Sequence, residues 1–451
     1  MRSSVLMESV RKLLRKGALG PCYNLLSKLR PADTAALFRQ LTDKEGPALF
    51  RVLLERNEEL AGAVLGEIHP TAAAVDLLAG LNAEKVAAIL HFIPADDAAD
   101  LVSSMPEELA EEVLGLLGKE ELRDVEGLLH HEEETAGRIM TPHFLALSED
   151  TSVEEAIKAL RSSESLEMVF YLYVLDAHRH LIGVISLRQL LLVAPETQLQ
   201  SIMIRDVVSV RSNMDQEEVA RIVQKYDLLA VPVVDEGNHL IGIITIDDII
   251  DVIRDEATED FYRLVGISEQ ERLLRSPLKS ARVRLPWLFA TFLGGVLASV
   301  IVSRFSDVLS RMVVLAGFMP VILGMGGNLG SQSATITVRG LATGRIATKQ
   351  VWGLIFKETR VALLLGTLYG AALIVAAIWV LKIPTRLGIV VGVSLLVTML
   401  LGATIGSMLP VLFDKLRIDP AVATGPFVTT TVDILGILTF FSLASHFGFE
   451  S

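Results

Sequence analysis

Five long apolar runs near the end of the chain restrict its fold more than any other feature. They are Leu285–Val302, Met312–Gly330, Val361–Leu381, Leu387–Phe413 and Ala421–Phe447. Each reaches the roughly 20 residues that a helix needs to cross about 30 Å of hydrocarbon. A helix in a soluble core seldom stays apolar on every face for that length. The rest of the sequence is unlike them. Up to Val283 the chain holds 29 basic and 48 acidic residues, a net of −19, whereas the remainder holds 12 and 6, a net of +6. The overall −13 therefore joins an acidic soluble part to a mildly basic membrane part. A 51% hydrophobic content excludes disorder, and a single cysteine, Cys22, excludes a disulfide scaffold. The acidic balance argues against nucleic acid as a partner and, where the acids cluster, favours cations.

Orientation follows from the basic residues of short connecting loops, which stay on the cytoplasmic side. Arg339, Arg345, Lys349, Lys357 and Arg360 fall between runs two and three, against Arg304, Arg311, Lys382 and Arg386 opposite. This predicts a multi-pass protein of the cell membrane, with a cytoplasmic N-terminal region and Ser451 outside. Arg11, Lys12, Arg15 and Lys16 near the start are not followed by the apolar stretch of a signal peptide.

From Pro31 a motif recurs about every 12–13 residues, from PADTAALFRQL to PEELAEEVLGLL. Each copy opens with Pro, Asn or an acid and continues with apolar residues at helical spacing. Helices this short hide their apolar faces only by stacking, which predicts an α-solenoid over 31–136. Residues 1–30 are left as a separate N-terminal segment.

The period then changes. Phe170–Leu175 and Leu181–Ser186 read as a strand pair, and Ala230–Asp235 with Leu240–Thr245 repeat it about sixty residues later. Helices at Val153–Leu160 and Gln216–Lys225 precede the pairs, and further helices follow at LRQLLL and IDDIID. The duplication resembles a tandem CBS (cystathionine-β-synthase-type) module, with repeats at 137–200 and 201–254. Such modules commonly bind adenine nucleotides through a Thr and an Asp after the last strand. GIITIDD supplies Thr245 and Asp248, whereas GVISLRQ has Arg188 and Gln189. At best one nucleotide site per chain results, and a rigid spacer remains the alternative.

Beyond the repeats, Asp248, Asp251, Asp255 and Glu259 recur at steps of three and four, flanked by Glu256 and Asp260. Like charges so spaced on a helix repel by a few tenths of a kcal/mol per pair. A bound divalent cation would reverse that penalty. The bland alternative is a solvated face. The stripe opens a connecting helix over 255–283 that leads into the membrane part at 284–451, and a solenoid loop adds Asp96, Asp97 and Asp100.

Asp433 is the one charge clearly deep within a run, after Gly425-Pro426 and the hydroxyls of Thr429–Thr431. An intramembrane acid marks an ion path or a neutral structural carboxyl. The second run ends in GMGGNLGSQSAT, whose glycines suit either close helix packing or a pore wall around Asn328 and Gln332. No Ser-His-Asp arrangement, His/Cys metal cluster or Walker loop is present, so an enzyme is not expected; His130–His131 and His178/His180 read as surface pairs.

This order of parts resembles the MgtE family of magnesium channels and transporters. The motifs are MPVILGMGGNLGSQSATITVRGLA, IDPAVATGPFVTTTVDILGI, KYDLLAVPVVDEGNHLIGIITIDDIIDVI and EATEDFYRLVG. The fold implied is multidomain: a cytosolic α-solenoid, an α+β tandem CBS module, a plug-like connecting helix and an all-α domain of five transmembrane helices. The resemblance further implies a homodimer in lipid whose pore selects Mg2+ at Asp433; Asn328 and Thr429, read from the residues themselves, are the pore candidates beside it. Co2+ and Mn2+ are further candidate ions. It implies that cytosolic Mg2+ closes the pore through Asp96, Asp100, Glu217, Asp227, Asp248, Asp251, Glu256, Glu259, Asp260 and Asp419. ATP at Arg188, Thr245 and Asp248 is a weaker implication. A CBS-regulated carrier of another divalent cation or solute is the competing reading, and the acidic Asp433 disfavours anions.

Overall fold

The computed structural model describes residues 2–42, 44–162, 170–264, 267, 277–342, 351–423 and 425–447. The expectations placed on Arg345, Lys349 and Ser451, and on residues 265–266 and 268–276 of the connecting segment, fall outside them. The chain divides into two compact units, Met1–Asp255 and Glu256–Ser451.

The first unit begins with short helices: α1 (Arg2–Arg15), α2 (Leu19–Leu26), α3 (Pro31–Phe38), α4 (Glu45–Arg56), α5 (Glu58–Gly66), α6 (Thr71–Leu78), α7 (Ala83–Leu90), α8 (Ala95–Ser103), α9 (Glu107–Leu114) and α10 (Lys119–Leu129). From α2 onward each packs on the helix two places along, ending with α8 on α10, which is solenoid stacking. The caps are those the sequence suggests. Asn57 and Asn82 accept from the N–H groups of Leu60 and Lys85, and Pro31 occupies the start of α3. Cys22 and Leu26 of α2 join the solenoid core, so the segment before Pro31 is part of it.

Two matching sheets follow. The first comprises β1 (Ala146–Ser148), β2 (Tyr171–Leu175) and β3 (Leu181–Ser186), with α11 (Val153–Ser162) and α12 (Leu187–Leu192). The second comprises β4 (Val210–Arg211), β5 (Ala230–Val234) and β6 (Leu240–Thr245), with α13 (Gln216–Tyr226) and α14 (Ile246–Leu264). In both, the first strand is parallel and the third antiparallel to the second, and the register shifts at Val174/Leu175 and again at Val233/Val234. The expected strand pairs are present. β1 and β4, at three and two residues, are too short to carry a readable period. Tyr173, Leu181, Val234, Leu240 and Ile243 form the core between the repeats, while the solenoid core continues into β5, β6 and α14. His180 is not a plain surface residue: its ring stacks on His239 at 4.8 Å and joins the two hairpins.

The connecting segment also differs from expectation. α14 continues from the second repeat through Asp255 to Leu264, and residues 277–283 already belong to the first long apolar helix. A helix whose polar and apolar residues both favour continuation has no reason to break at a boundary of charge.

The second unit holds α15 (Pro277–Arg304), α16 (Ser306–Arg311), α17 (Met319–Ala342), α18 (Val351–Val375), α19 (Thr385–Lys415) and α20 (Pro426–Phe447). Among its described residues, five helical segments are long and apolar enough to cross a membrane. α19 is central, packed on α17, α18 and α20, and α15 lies on α20. Glycines allow the closest crossings: a Cβ at Gly330 would lie 3.2 Å from the Gly402 oxygen, and one at Gly370 2.8 Å from the Gly392 oxygen. These helices extend beyond their apolar runs, so Arg339 lies on α17, and Lys357 and Arg360 on α18, rather than in a loop. The final helix starts at Pro426 after a separate 3-10 turn at Pro420–Ala423, within the fifth apolar run.

Candidate functional site

In the first unit, the opening turns of α8 and α14 line one cleft of about 630 Å³. Asp96 and Asp97 open α8, rather than lying in a loop, and Asp247 and Asp248 open α14. Carboxylates suit a helix N-terminus, whose partial positive charge they meet. The Thr245 hydroxyl donates to Asp248 Oδ2 at 2.6 Å and to Asp247, and the Thr245 N–H donates to Asp248 Oδ2 at 3.3 Å. Local capping thus sets these acids in place.

The electrostatics of the cleft are unfavourable to ionised acids. Burial, then the charges of Asp100 and Asp247, push the Asp96 carboxyl up to about 6 against local backbone N–H groups. Burial, then Asp96, push Asp248 up to about 7 despite its bonds from Thr245. Asp97 is raised by burial and by Asp96, Asp248, Asp100 and Asp251. Asp96 Oδ1 is shielded from solvent and has no hydrogen-bond partner.

Several other anticipated ligands already have side-chain partners. Asp100 is raised by burial and opposed by Arg138, whose Nη2 lies 3.1 Å from its Oδ1. Asp251 pairs with Arg254 at 2.9 Å and His69 at 3.2 Å. Glu217 pairs with Arg221 at 2.7 Å, and Asp227 ends α13 with φ of 51°. Neither Glu217 nor Asp227 lines the cleft, and they stand at opposite ends of α13, about 15 Å apart at 1.5 Å per residue. Of the nucleotide candidates, Arg188 is exposed on α12 while Thr245 is buried. Gln189, where the first repeat lacks an Asp, donates through Nε2 to the Ile202 oxygen at 2.6 Å.

In the second unit, Glu256, Glu259 and Asp260 are half-buried on the last turns of α14. Arg263 bridges Glu259 and Asp419, and Asp419 also accepts from the Ala421 N–H at 2.8 Å. Those two acids therefore share a guanidinium instead of facing each other bare.

Asp433 is half-buried on α20 and faces α17 at Gly327, where an added Cβ would lie 3.9 Å from its Oδ1 and 4.0 Å from Thr429 Cγ2. The Thr429 hydroxyl donates to the Gly425 oxygen at 3.3 Å, at the helix start. Asn328 lies on the adjoining, exposed face of α17 with Gly324, Gln332 and Thr335. The small residues thus serve close packing at Gly326 and Gly330 and leave the polar face open elsewhere. Glu358 of α18 was missed by sequence reasoning because it precedes the apolar run. It is 4% exposed and accepts from the Ser333 hydroxyl at 3.0 Å.

Family models match three stretches of the chain. They are an MgtE intracellular N domain over 29–134, CBS domains over 136–196 and 199–255, and the MgtE divalent cation transporter over 319–443. The magnesium transporter MgtE of Bacillus subtilis (strain 168) is 35% identical over 437 residues, 96% of each chain. Its namesake in Enterococcus faecalis (strain ATCC 700802 / V583) is 40% identical over 320 residues, 70% of each. A solved cytosolic domain of the Mg2+ channel MgtE, in complex with ATP, matches 55% of this chain and 99% of its own, at 33% identity and a TM-score of 0.50. With likeness of this degree over almost its entire length, the chain belongs to the MgtE family of magnesium transporters, multi-pass membrane proteins that move an ion rather than catalyse a reaction.

Proposed function

We propose that this chain conducts Mg2+ through a pore built at Asp433 and is closed by cytosolic Mg2+ bound between α8 and α14. The observation that carries the sensor is the convergence of Asp96, Asp97, Asp247 and Asp248 around a buried, unpartnered carboxylate oxygen. The donors are all carboxylate oxygens, which suits a hard divalent cation. Among the described residues, no three acids or imidazoles stand close enough to hold an ion as placed. Binding therefore has to draw the opposed acids of α8 and α14 the last part of the way together, which is the movement a sensor needs. An ion shifts such an equilibrium only through its differential affinity for the two states. In this reading 31–136 and 137–254 form the sensor, 255–276 connects, and the helices from Pro277 onward form the pore.

For conduction, Mg2+ sheds water reluctantly and favours a path that accepts a hydrated ion. One Asp433 per chain cannot encircle it. The exposed polar face of Gly324, Asn328, Gln332 and Thr335 is costly against lipid and is explained by a second copy across a two-fold axis. Two Asp433 carboxylates then flank the path, and the basic ends of α17 and α18 favour a cytoplasmic N-terminal region. ATP is the second candidate ligand of the CBS module: a related cytosolic domain was solved with it, and Thr245 and Asp248 lie where β6 runs into α14.

Mg2+ influx into proteoliposomes tests the pore. Asp433→Ala should lower influx more than about tenfold, the effect of losing a buried charge contact of at least 1.4 kcal/mol. Influx equal to wild type would remove Asp433 from the path.

A further inference from the structure

Arg138 is the least exposed charged residue among the described residues of the first unit, at 4%. Its Nη2 donates to the Ala99 oxygen at 3.0 Å and to Ser103 Oγ at 2.9 Å, and stands 3.1 Å from Asp100 Oδ1. All three partners belong to α8. Nη1 is buried without a partner. A cation beside the C-terminal half of a helix complements its dipole. A buried guanidinium is retained only where its bonds offset desolvation.

The backbone on which Arg138 stands is bound to the second repeat. The Ala136 N–H donates to the Met214 oxygen at 2.7 Å, and Thr141 and Ile243 exchange both backbone hydrogen bonds, at 2.8 and 3.0 Å. Ile243 lies in β6, which runs directly into Thr245, Asp247 and Asp248. Arg138 therefore ties the far end of the helix that bears Asp96 and Asp97 to the strand that delivers their opposing acids.

We propose that Arg138 is a positioning residue of the cation sensor. It holds α8 beside the strand leading into α14 while the empty carboxylates repel, so that Mg2+ meets a set already near its final arrangement. The proposal rests on the sensor reading above. If the binding-competent arrangement becomes a minor population, apparent affinity falls by that fraction. Losing the brace thus raises the Mg2+ concentration needed, even though it frees Asp100.

The test is hydrogen exchange of residues 95–103 and 246–252 in the full-length protein across a Mg2+ series, with Mg2+ inhibition of influx measured alongside. Arg138→Met should speed exchange of 95–103 at low Mg2+ and move the Mg2+ midpoint up by about tenfold, through the reduced competent fraction. Arg138→Lys should recover part of the shift. Ser103→Ala, which loses one bond only, should move the midpoint less and in the same direction, and decides the matter if Arg138→Met does not fold. An unmoved midpoint overturns the brace. A midpoint that moves down overturns it too, since Arg138 would then be a competitor of Mg2+ for Asp100. Wild-type exchange at these segments that ignores Mg2+ would overturn the sensor reading itself.

Discussion

Replacing Asp248 with Asn should stabilise the closed sensor when no Mg2+ is present, the opposite of what loss of a ligand alone suggests. Asp248 is pushed from 3.8 up to about 7 by burial and then by Asp96. A rise of about three units corresponds to roughly 4 kcal/mol against the ionised form at about 1.36 kcal/mol per unit. That penalty is shared with Asp96, so 4 kcal/mol is an upper bound. Asparagine removes the charge yet can still accept from the Thr245 N–H, which preserves the cap of α14. Half the bound would slow hydrogen exchange of 95–103 and 246–252 by roughly thirtyfold in chelator at pH 7.5. The response to added Mg2+ should shrink at the same time, because a cation has less negative charge to gather. Exchange in chelator as fast as wild type, or faster, would refute the reasoning: the carboxylates would then not be what holds α8 and α14 apart.

Protons should imitate Mg2+ at the same cleft. With Asp96 raised to about 6 and Asp248 to about 7, the docked arrangement binds more protons than a separated one between about pH 4 and 7. Docking without metal is then fullest below the ordinary value of 3.8 and is lost as pH rises through 6 to 7. Mg2+ binding near pH 6.5 should therefore release protons, read as a calorimetric enthalpy that varies with the ionisation enthalpy of the buffer, and should cease to do so near pH 8.5. In the membrane part, Gly402→Val would drive a side chain into the Gly326 carbonyl of α17. A cost of about 1–3 kcal/mol or more is expected for overpacking, measured as a lowered unfolding temperature of the detergent-solubilised protein.

Much of the fold was legible because it rests on periodicity. Apolar runs of membrane length, a short helical repeat and duplicated strand pairs all advertise themselves locally. β1 and β4 were not legible, since a strand of two or three residues has no period. Helix ends were misplaced at Arg339, Lys357 and Arg360 because helices outlast the hydrocarbon they cross. The candidate site was half legible. Asp96 and Asp248 were named from spacing and resemblance, yet Asp97 and Asp247, which stand beside them in PADDAAD and IDDIID, were left out of the ligand set. Charge partners were the harder part. Arg138 with Asp100, Arg263 with Asp419 and Ser333 with Glu358 are separated by 38, 156 and 25 positions. Such pairs depend on how the chain returns on itself, and no local pattern encodes that.

In the proposed mechanism the conducted ion also closes the pore through the α8–α14 acids. Its most direct test is Mg2+ influx into proteoliposomes of fixed orientation, with Mg2+ on the cytosolic face of the protein varied and the driving gradient held constant. Influx should fall as cytosolic Mg2+ rises in wild type and should lose most of that dependence in the Asp96→Asn, Asp248→Asn double variant. Wild-type influx indifferent to cytosolic Mg2+, or a double variant as sensitive as wild type, would contradict it.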